Sequence, residues 1–232
     1  MEEKLTKIVE ERITSWEHQS AAKKISTPAD KSYPVITISR DFGGRGAALA
    51  TLIGEKVGFK VWNDELIEAV ADHLGSDEEF IKSLDERRRE MVEDAVLGFL
   101  KNVNTNVNYI RSLKRVVRTI EAHGNAIIVG RGSNYICENP GSFHVRVVAT
   151  LKNRVAGFAK RENITKNEAR SQIKKKDSER AEFVEFNFKK DVTEASDYDI
   201  TLNSGTFSLD DMMSIVINAY EKKSGRQLKI LN

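Results

Sequence analysis

One cysteine, Cys137, stands among 232 residues. That excludes an intrachain disulfide and any cysteine-rich metal site, and it fits a reducing compartment such as the cytoplasm. The histidines His18, His73, His123 and His144 form no ligand cluster with acids at a recognised metal spacing, so each reads as a surface or packing residue. Basic residues outnumber acidic ones by only 37 to 35, and a net charge of +2 gives no reason to expect nucleic acid or a membrane surface as a partner. No apolar run is long enough to span a bilayer. Met1-Glu2-Glu3-Lys4-Leu5 is charged where a secretory signal would carry an apolar core. Repeats and low-complexity stretches are missing too. What remains, 40% hydrophobic and 31% charged, is an ordinary globular composition at a length that fits one α/β domain with inserted helices.

The most informative segment is Ser39-Arg40-Asp41-Phe42-Gly43-Gly44-Arg45-Gly46. An apolar β-branched run, Val35–Ile38, precedes it, and a helical pattern from Ala47 to Val57 follows. A strand, a glycine-rich turn and a helix N-terminus together suit phosphate, because the first-turn N–H groups lack intrahelical partners and carry partial positive charge. The match to G-x-x-x-x-G-K-[ST] is incomplete: no placement supplies the Lys or the Ser/Thr. Arg40 and Arg45 are the cations of the loop. A glycine-rich turn without a ligand is the competing reading.

Along the chain, Leu5, Ile8, Val9, Ile13 and Trp16 give helical spacing over residues 1–25, and Ser26–Pro34 reads as a linker. Phe59–Trp62 is a short strand candidate. Asn63 is placed to cap a helix over Asp64–His73, and Ser76–Glu79 has capping-box spacing. Asp85 to Ala122 is mainly helical and broken near 102–106. Its charged run Asp85–Glu90 reads as a solvated face, with a phosphate clamp as the alternative. Ala126–Val129 is a buried strand ending in Gly130-Arg131-Gly132, and an arginine at the carboxyl end of such a strand suits phosphate recognition, or simply covers a turn. Phe143–Ala149 and Tyr198–Leu202 are further strands. Helices are expected over Leu151–Arg161, from the Thr165–Glu168 capping box through the basic Arg170–Lys176 stretch, and over Leu209 to about Lys222 with Ser208 as cap. The basic helices read as a mobile lid over polyphosphate or as a solvated hairpin. Strands alternating with helices predict βαβ units and a mainly parallel sheet with helices on both faces.

In combination, Ser39-Arg40-Asp41-Phe42-Gly43, Asn63-Asp64-Glu65-Leu66-Ile67, Ile128-Val129-Gly130-Arg131-Gly132, the Asp177–Arg180 region and Tyr198–Asn203 resemble the cytidylate kinase-like family, divergent P-loop nucleoside monophosphate kinases. The resemblance covers about residues 34–222. It implies a P-loop NTPase-like five-stranded parallel sheet of order 2-3-1-4-5, with a helical insertion at 85–122 and a lid at about 152–190. Residues 34–232 would form the kinase-like domain, preceded by an N-terminal helix and linker at 1–33. It also implies ATP and Mg²⁺ as cofactors and phosphoryl transfer to a nucleoside monophosphate, CMP or dCMP. By position, Arg40, Gly43, Gly44, Arg45 and Gly46 would serve the donor phosphates. Asp64 and Arg131 would serve the acceptor, and Arg154, Arg161 and Arg180 would neutralise the transferred group. The family's loop reads Gly-Ser-Gly-Gly-Arg-Glu where this chain has Gly43-Gly44-Arg45-Gly46-Ala47-Ala48, so its arginine stands two places early. A non-catalytic nucleotide-binding module and a phosphotransferase for another small acceptor are the alternatives. No nucleic-acid or membrane partner is expected, and the N-terminal or inserted helices offer surfaces for a homodimer.

Overall fold

The computed structural model describes residues 32–63 and 105–231. The expected helices at 1–25, 64–73, 76–79 and 85–104, the charged run 85–90 and Asp64 lie outside these residues. The chain divides into two units, Tyr33–Asn63 with His123–Asn232, and Met1–Ser32 with Asp64–Ala122.

In the first unit, five strands form one sheet: β1 (Ile36–Arg40), β2 (Lys60–Trp62), β3 (Ala126–Val129), β4 (Phe143–Val148) and β5 (Ile200–Asn203). Their order is β2-β3-β1-β4-β5, as the family resemblance implies, and every neighbouring pair is parallel, as the alternation of strands and helices predicts. Register aligns the carboxyl ends of the central strands, with Ile38 opposite both Val129 and Val145. After β1 the chain moves to the β2–β3 side, and after β4 to the β5 side. The sheet therefore has its topological switch between β1 and β4, where ligands of open α/β sheets bind.

Period-two alternation decides what β1 buries. Ile36 and Ile38 enter a core with Leu49 and Ile53 of α1 (Gly46–Val57), Val145 and Val147 of β4, and Met212, Val216 and Tyr220 of the C-terminal helix (Leu209–Ser224). Thr37 points the other way, and its hydroxyl meets His144 Nδ1 at 2.8 Å across the register pair. Tyr220 is fully buried and donates its hydroxyl to Pro34 O at 2.8 Å, and burial raises its phenol pKa.

Four more helices are described. In the second unit, α2 (Thr105–His123, its last residue beyond the unit boundary) buries Leu113, Val116, Val117 and Ile120 along one i, i+3, i+4, i+7 stripe. In the first unit, the sequence suggested only a turn after Gly132; the chain instead makes one helical turn there, α3 (Ser133–Ile136). The next two helices are α4 (Leu151–Glu162), capped by the Thr150 hydroxyl, and α5 (Lys166–Phe188). The C-terminal helix is α6. Capping boxes form at Thr165/Glu168 and Ser208/Asp211, where the residue spacing placed the helix starts. β5 begins at Ile200 rather than Tyr198, because the Tyr198 N–H closes a 3₁₀ turn on Ala195 O. Among the described residues no helix is long and apolar enough to cross a membrane.

α1 approaches β2 closely at Gly54, where a β-carbon would lie 2.6 Å from Val61 Cγ2 and 2.9 Å from Phe59 O. Overpacking there outweighs the helix propensity that alanine adds. Gly54→Ala should lose about 1–2 kcal/mol of stability in urea denaturation; a more stable variant would show that the two elements do not meet so closely.

Candidate functional site

The glycine turn leaves β1 at Asp41, whose N–H continues the sheet by donating to Val147 O at 3.0 Å. Gly44 N–H then closes a turn on Asp41 O at 3.0 Å, with Gly43 at φ 77 in the position that favours glycine. Gly44 and Gly46 are buried, and a β-carbon on Gly46 would come within 2.6 Å of Arg40 Cβ. At Gly46 the start of the helix is thus packed so tightly that only backbone fits.

Arg45 is the N-cap of α1 and is left-handed, φ 66 and ψ 7. A non-glycine residue there costs about 1 kcal/mol. Its side chain is exposed. No side chain caps α1, and its first turn holds no acid, whereas α4, α5 and α6 all have side-chain caps. The first-turn amides of α1 therefore meet no competing anion from the cap or the turn, and the helix end keeps its partial positive charge.

Asp41 ties the turn to its surroundings. Arg146 of β4 donates from Nη2 to Asp41 Oδ1 at 2.7 Å and from Nη1 to Ser39 Oγ at 3.0 Å. Ala149 N–H reaches Asp41 Oδ2 at 3.3 Å, and Arg154 Nε lies 3.8 Å from the same oxygen. The Arg146 side chain is only 8% exposed, so its charge depends on this carboxylate. The hydroxyl of Tyr198 joins at Ser39 Oγ, 3.4 Å away, and donates to Val192 O at 3.0 Å.

α5 crosses the carboxyl ends of β1 and β3. Ile173, Asp177, Arg180, Val184 and Phe188 follow three- and four-residue spacing and so share one face. Asp177 Oδ1 accepts the Phe42 N–H at 2.8 Å, and Asp177 Oδ2 accepts Arg154 Nη1 at 2.6 Å. Arg154 also donates to Phe42 O and Ala149 O, both at 3.0 Å. One turn on, the Arg180 guanidinium stacks on the Phe42 ring at 5.2 Å, with Nη1 3.5 Å from Arg40 O. Phe42 itself packs edge-on against Phe158 of α4, 5.1 Å between centroids.

Farther along, α5 meets the β3 loop. Gly130, Arg131 and Gly132 take φ of 85, 54 and 64 in succession. The Arg40 guanidinium lies against Gly130, and the Phe188 ring lies against Gly132. Arg131 stacks over Phe183 at 5.4 Å. The structure thus gathers Arg40, Gly43, Gly44, Arg45, Gly46, Arg131, Arg154 and Arg180 along one edge of the sheet. Arg161 sits in the last turn of α4, about 15 Å along the helix axis from its start. There it pairs with Glu162 at 2.8 Å and stacks on Phe158 at 5.1 Å.

Sequence reasoning gave no role to Asp41, Arg146 or the Asp177 carboxylate. Arg146 carried a usable signal: a charged residue between Val145 and Val147 in a strand that otherwise reads as buried. It calls for a buried counter-ion.

A parallel sheet of this order, with a glycine turn from its central strand into an uncapped helix, defines a P-loop NTPase-like α/β fold. The model of the cytidylate kinase-like family matches residues 35–206, and the chain belongs to that family. A cytidylate kinase of Thermoplasma volcanium is 27% identical over 112 residues, 47% of this chain and 58% of that protein, so the match spans little more than half of that relative. The crystal structure of an uncharacterized protein from Eubacterium ventriosum superposes with a TM-score of 0.61 at 19% identity, over 81% of this chain and 98% of that one. This is a likeness of fold.

The Asp41–Arg146 pair generates a stability prediction. Asp41→Ala strands a buried guanidinium and should cost about 3 kcal/mol in chemical denaturation. Adding Arg146→Met should recover most of that loss, and an additive double variant would show that the two side chains are not coupled.

Proposed function

We propose that this protein transfers the γ-phosphoryl group of ATP to a nucleoside monophosphate, CMP or dCMP. Family membership supports the reaction class. The observation that carries the reading is the uncapped start of α1 beneath a backbone-only glycine turn, with Arg154 and Arg180 at its rim. Such a helix start takes phosphate oxygens through N–H groups. The cytidine preference rests on the likeness to a cytidylate kinase.

In this reading the turn at Gly43, Gly44 and Gly46 and the first amides of α1 hold the donor phosphates. Arg45 stands exposed at the mouth and supplies the cation that Gly46, Ala47 and Ala48 do not. Arg131, at the end of β3, holds the acceptor phosphate. An acceptor oxygen attacks the γ-phosphorus, the bond to the β–γ bridging oxygen breaks, and ADP leaves with that electron pair. The chain's part is to align the two phosphates and to offset charge with Arg154 and Arg180, since phosphoryl transfer needs positioning and cations more than a covalent catalyst. Arg161 would join only if α4 were re-seated. Among the described residues no group of three or more His, Cys, Asp and Glu side chains could hold a metal. Mg²⁺ would then be carried mainly by the nucleotide phosphates and water.

The positions of Ala47 and Ala48 favour a second reading, a module that binds nucleotide without turnover. ADP formation from Mg·ATP, run with CMP, dCMP, UMP, AMP, GMP and no acceptor, separates the two. Acceptor-dependent turnover is the expected result. Binding without turnover would select the second reading.

Two variants test the assigned roles. Arg131→Ala should lower kcat/KM by at least about 100-fold through loss of a charge-assisted phosphate contact; an unchanged value removes Arg131 from the site. Arg45→Gly relieves the left-handed strain, so its stability should hold within about 1 kcal/mol. ATP affinity by calorimetry should fall at least about tenfold, the order of one lost charge-assisted contact. Full affinity in that variant would mean that Arg45 does not replace the missing loop cation.

A further inference from the structure

One carboxylate in this unit occupies groups of the kind that bind phosphate. Asp177 Oδ1 takes the Phe42 N–H at 2.8 Å and Asp177 Oδ2 takes the Arg154 guanidinium at 2.6 Å. Arg154 returns to Phe42 O at 3.0 Å, so Asp177, Phe42 and Arg154 close a ring of hydrogen bonds. A loop amide and one arginine N–H, each facing one oxygen of the same anion, are donors that two oxygens of a phosphate would use. The next residue is Gly43, whose α-carbon faces Arg154 Cβ and Ile173 Cδ1, so the anion sits at the glycine turn itself. The Asp177 side chain remains 30% exposed while that of Arg154 is 10% exposed. Solvent, and a ligand, can reach the carboxylate more readily than the arginine it covers.

We propose that Asp177 is a tethered anion that holds Arg154 and the Phe42 amide until a nucleotide phosphate displaces it. The inference rests on the reading of the glycine turn as a phosphate site and adds what controls access to it. Displacement frees Arg154 Nη1 and the Phe42 N–H for the incoming phosphate and releases the middle of α5 from the turn. No bond other than hydrogen bonds is made or broken. The one-for-one exchange of anions keeps the arginine paired throughout. Asp177 is a positioning residue, acting through Arg154 and the turn.

A purely structural latch and a tethered anion differ in the sign of one observable. Loss of a latch loosens α5 and leaves ligand affinity equal or weaker. Loss of a competing anion strengthens binding. Asp177→Asn keeps the side-chain shape and removes the charge. Calorimetry with ADP, and with pyrophosphate as a phosphate-only probe, should show at least tenfold tighter binding of both to Asp177→Asn than to the unmodified protein. Equal or weaker affinity overturns the proposal. A second measurement uses the unmodified protein and so does not depend on how the variant folds. Saturating pyrophosphate should speed amide hydrogen exchange across residues 173–184 of α5, and unchanged or slower exchange there overturns the proposal as well. If the unmodified protein and Asp177→Asn both fail to bind ADP and pyrophosphate, the phosphate site itself is wrong and the exchange falls with it. Tight ADP binding by the unmodified protein, with none gained by the variant, refutes the tethered anion alone.

Discussion

The Asp41 carboxylate is the constraint on which the glycine turn depends. It stands at the end of the central strand and accepts from Arg146, from the Ala149 amide and, at longer range, from Arg154. Those partners come from β4 and from the segment that starts α4. One side chain therefore sets the turn against the neighbouring strand and the helix hairpin at once. Arg146 could not be buried without it, because an unpaired guanidinium in that position would be costly. The turn is thereby held from below, with the Asp41 amide on Val147 O, the Phe42 amide on Asp177 and the Gly44 amide on Asp41 O.

The arginines at this edge work under different constraints. Arg146 is committed to holding the turn. Arg154 is shared between two carbonyls and the Asp177 carboxylate and is almost fully withdrawn from water. Arg131 and Arg180 each lie over an aromatic ring, Phe183 and Phe42, whose face attracts the cation. Arg45 is exposed on a left-handed backbone.

Most of the sheet was legible in the chain. Ala126–Val129 is a compact apolar run followed by glycine, Phe143–Val148 is a valine-rich stretch that carries His144 and Arg146, and the Thr165 capping box and the Ser208 cap marked helix starts through local hydrogen bonds. The glycine turn was legible for the same local reason. The contact face of α5 was not. Asp177 and Arg180 occupy positions where an apolar stripe would be sought, and the partners that make them inward-facing, Phe42, Arg154 and Arg40, lie far away in sequence. Arg146 signalled a buried counter-ion by its place between Val145 and Val147, but its partner Asp41 shows itself only when the two strands are placed side by side. Arg161 shows the reverse case. Its residue type matched the family pattern, and the last turn of α4 sets it against Glu162 and the Phe158 ring that packs on Phe42.

The run Gly130-Arg131-Gly132 has a consequence for how the sequence can drift. Gly132 is roofed by the Phe188 ring and Gly130 by the Arg40 guanidinium. A side chain cannot appear at either glycine unless the group above it shrinks or shifts. Positions more than fifty residues apart in the chain, 132 and 188, are therefore coupled: a side chain at one requires the ring at the other to shrink or move. Lineages that vary the end of α5 would be expected to do so in step with the β3 loop, leaving a paired substitution record that an alignment of relatives would display as covariation.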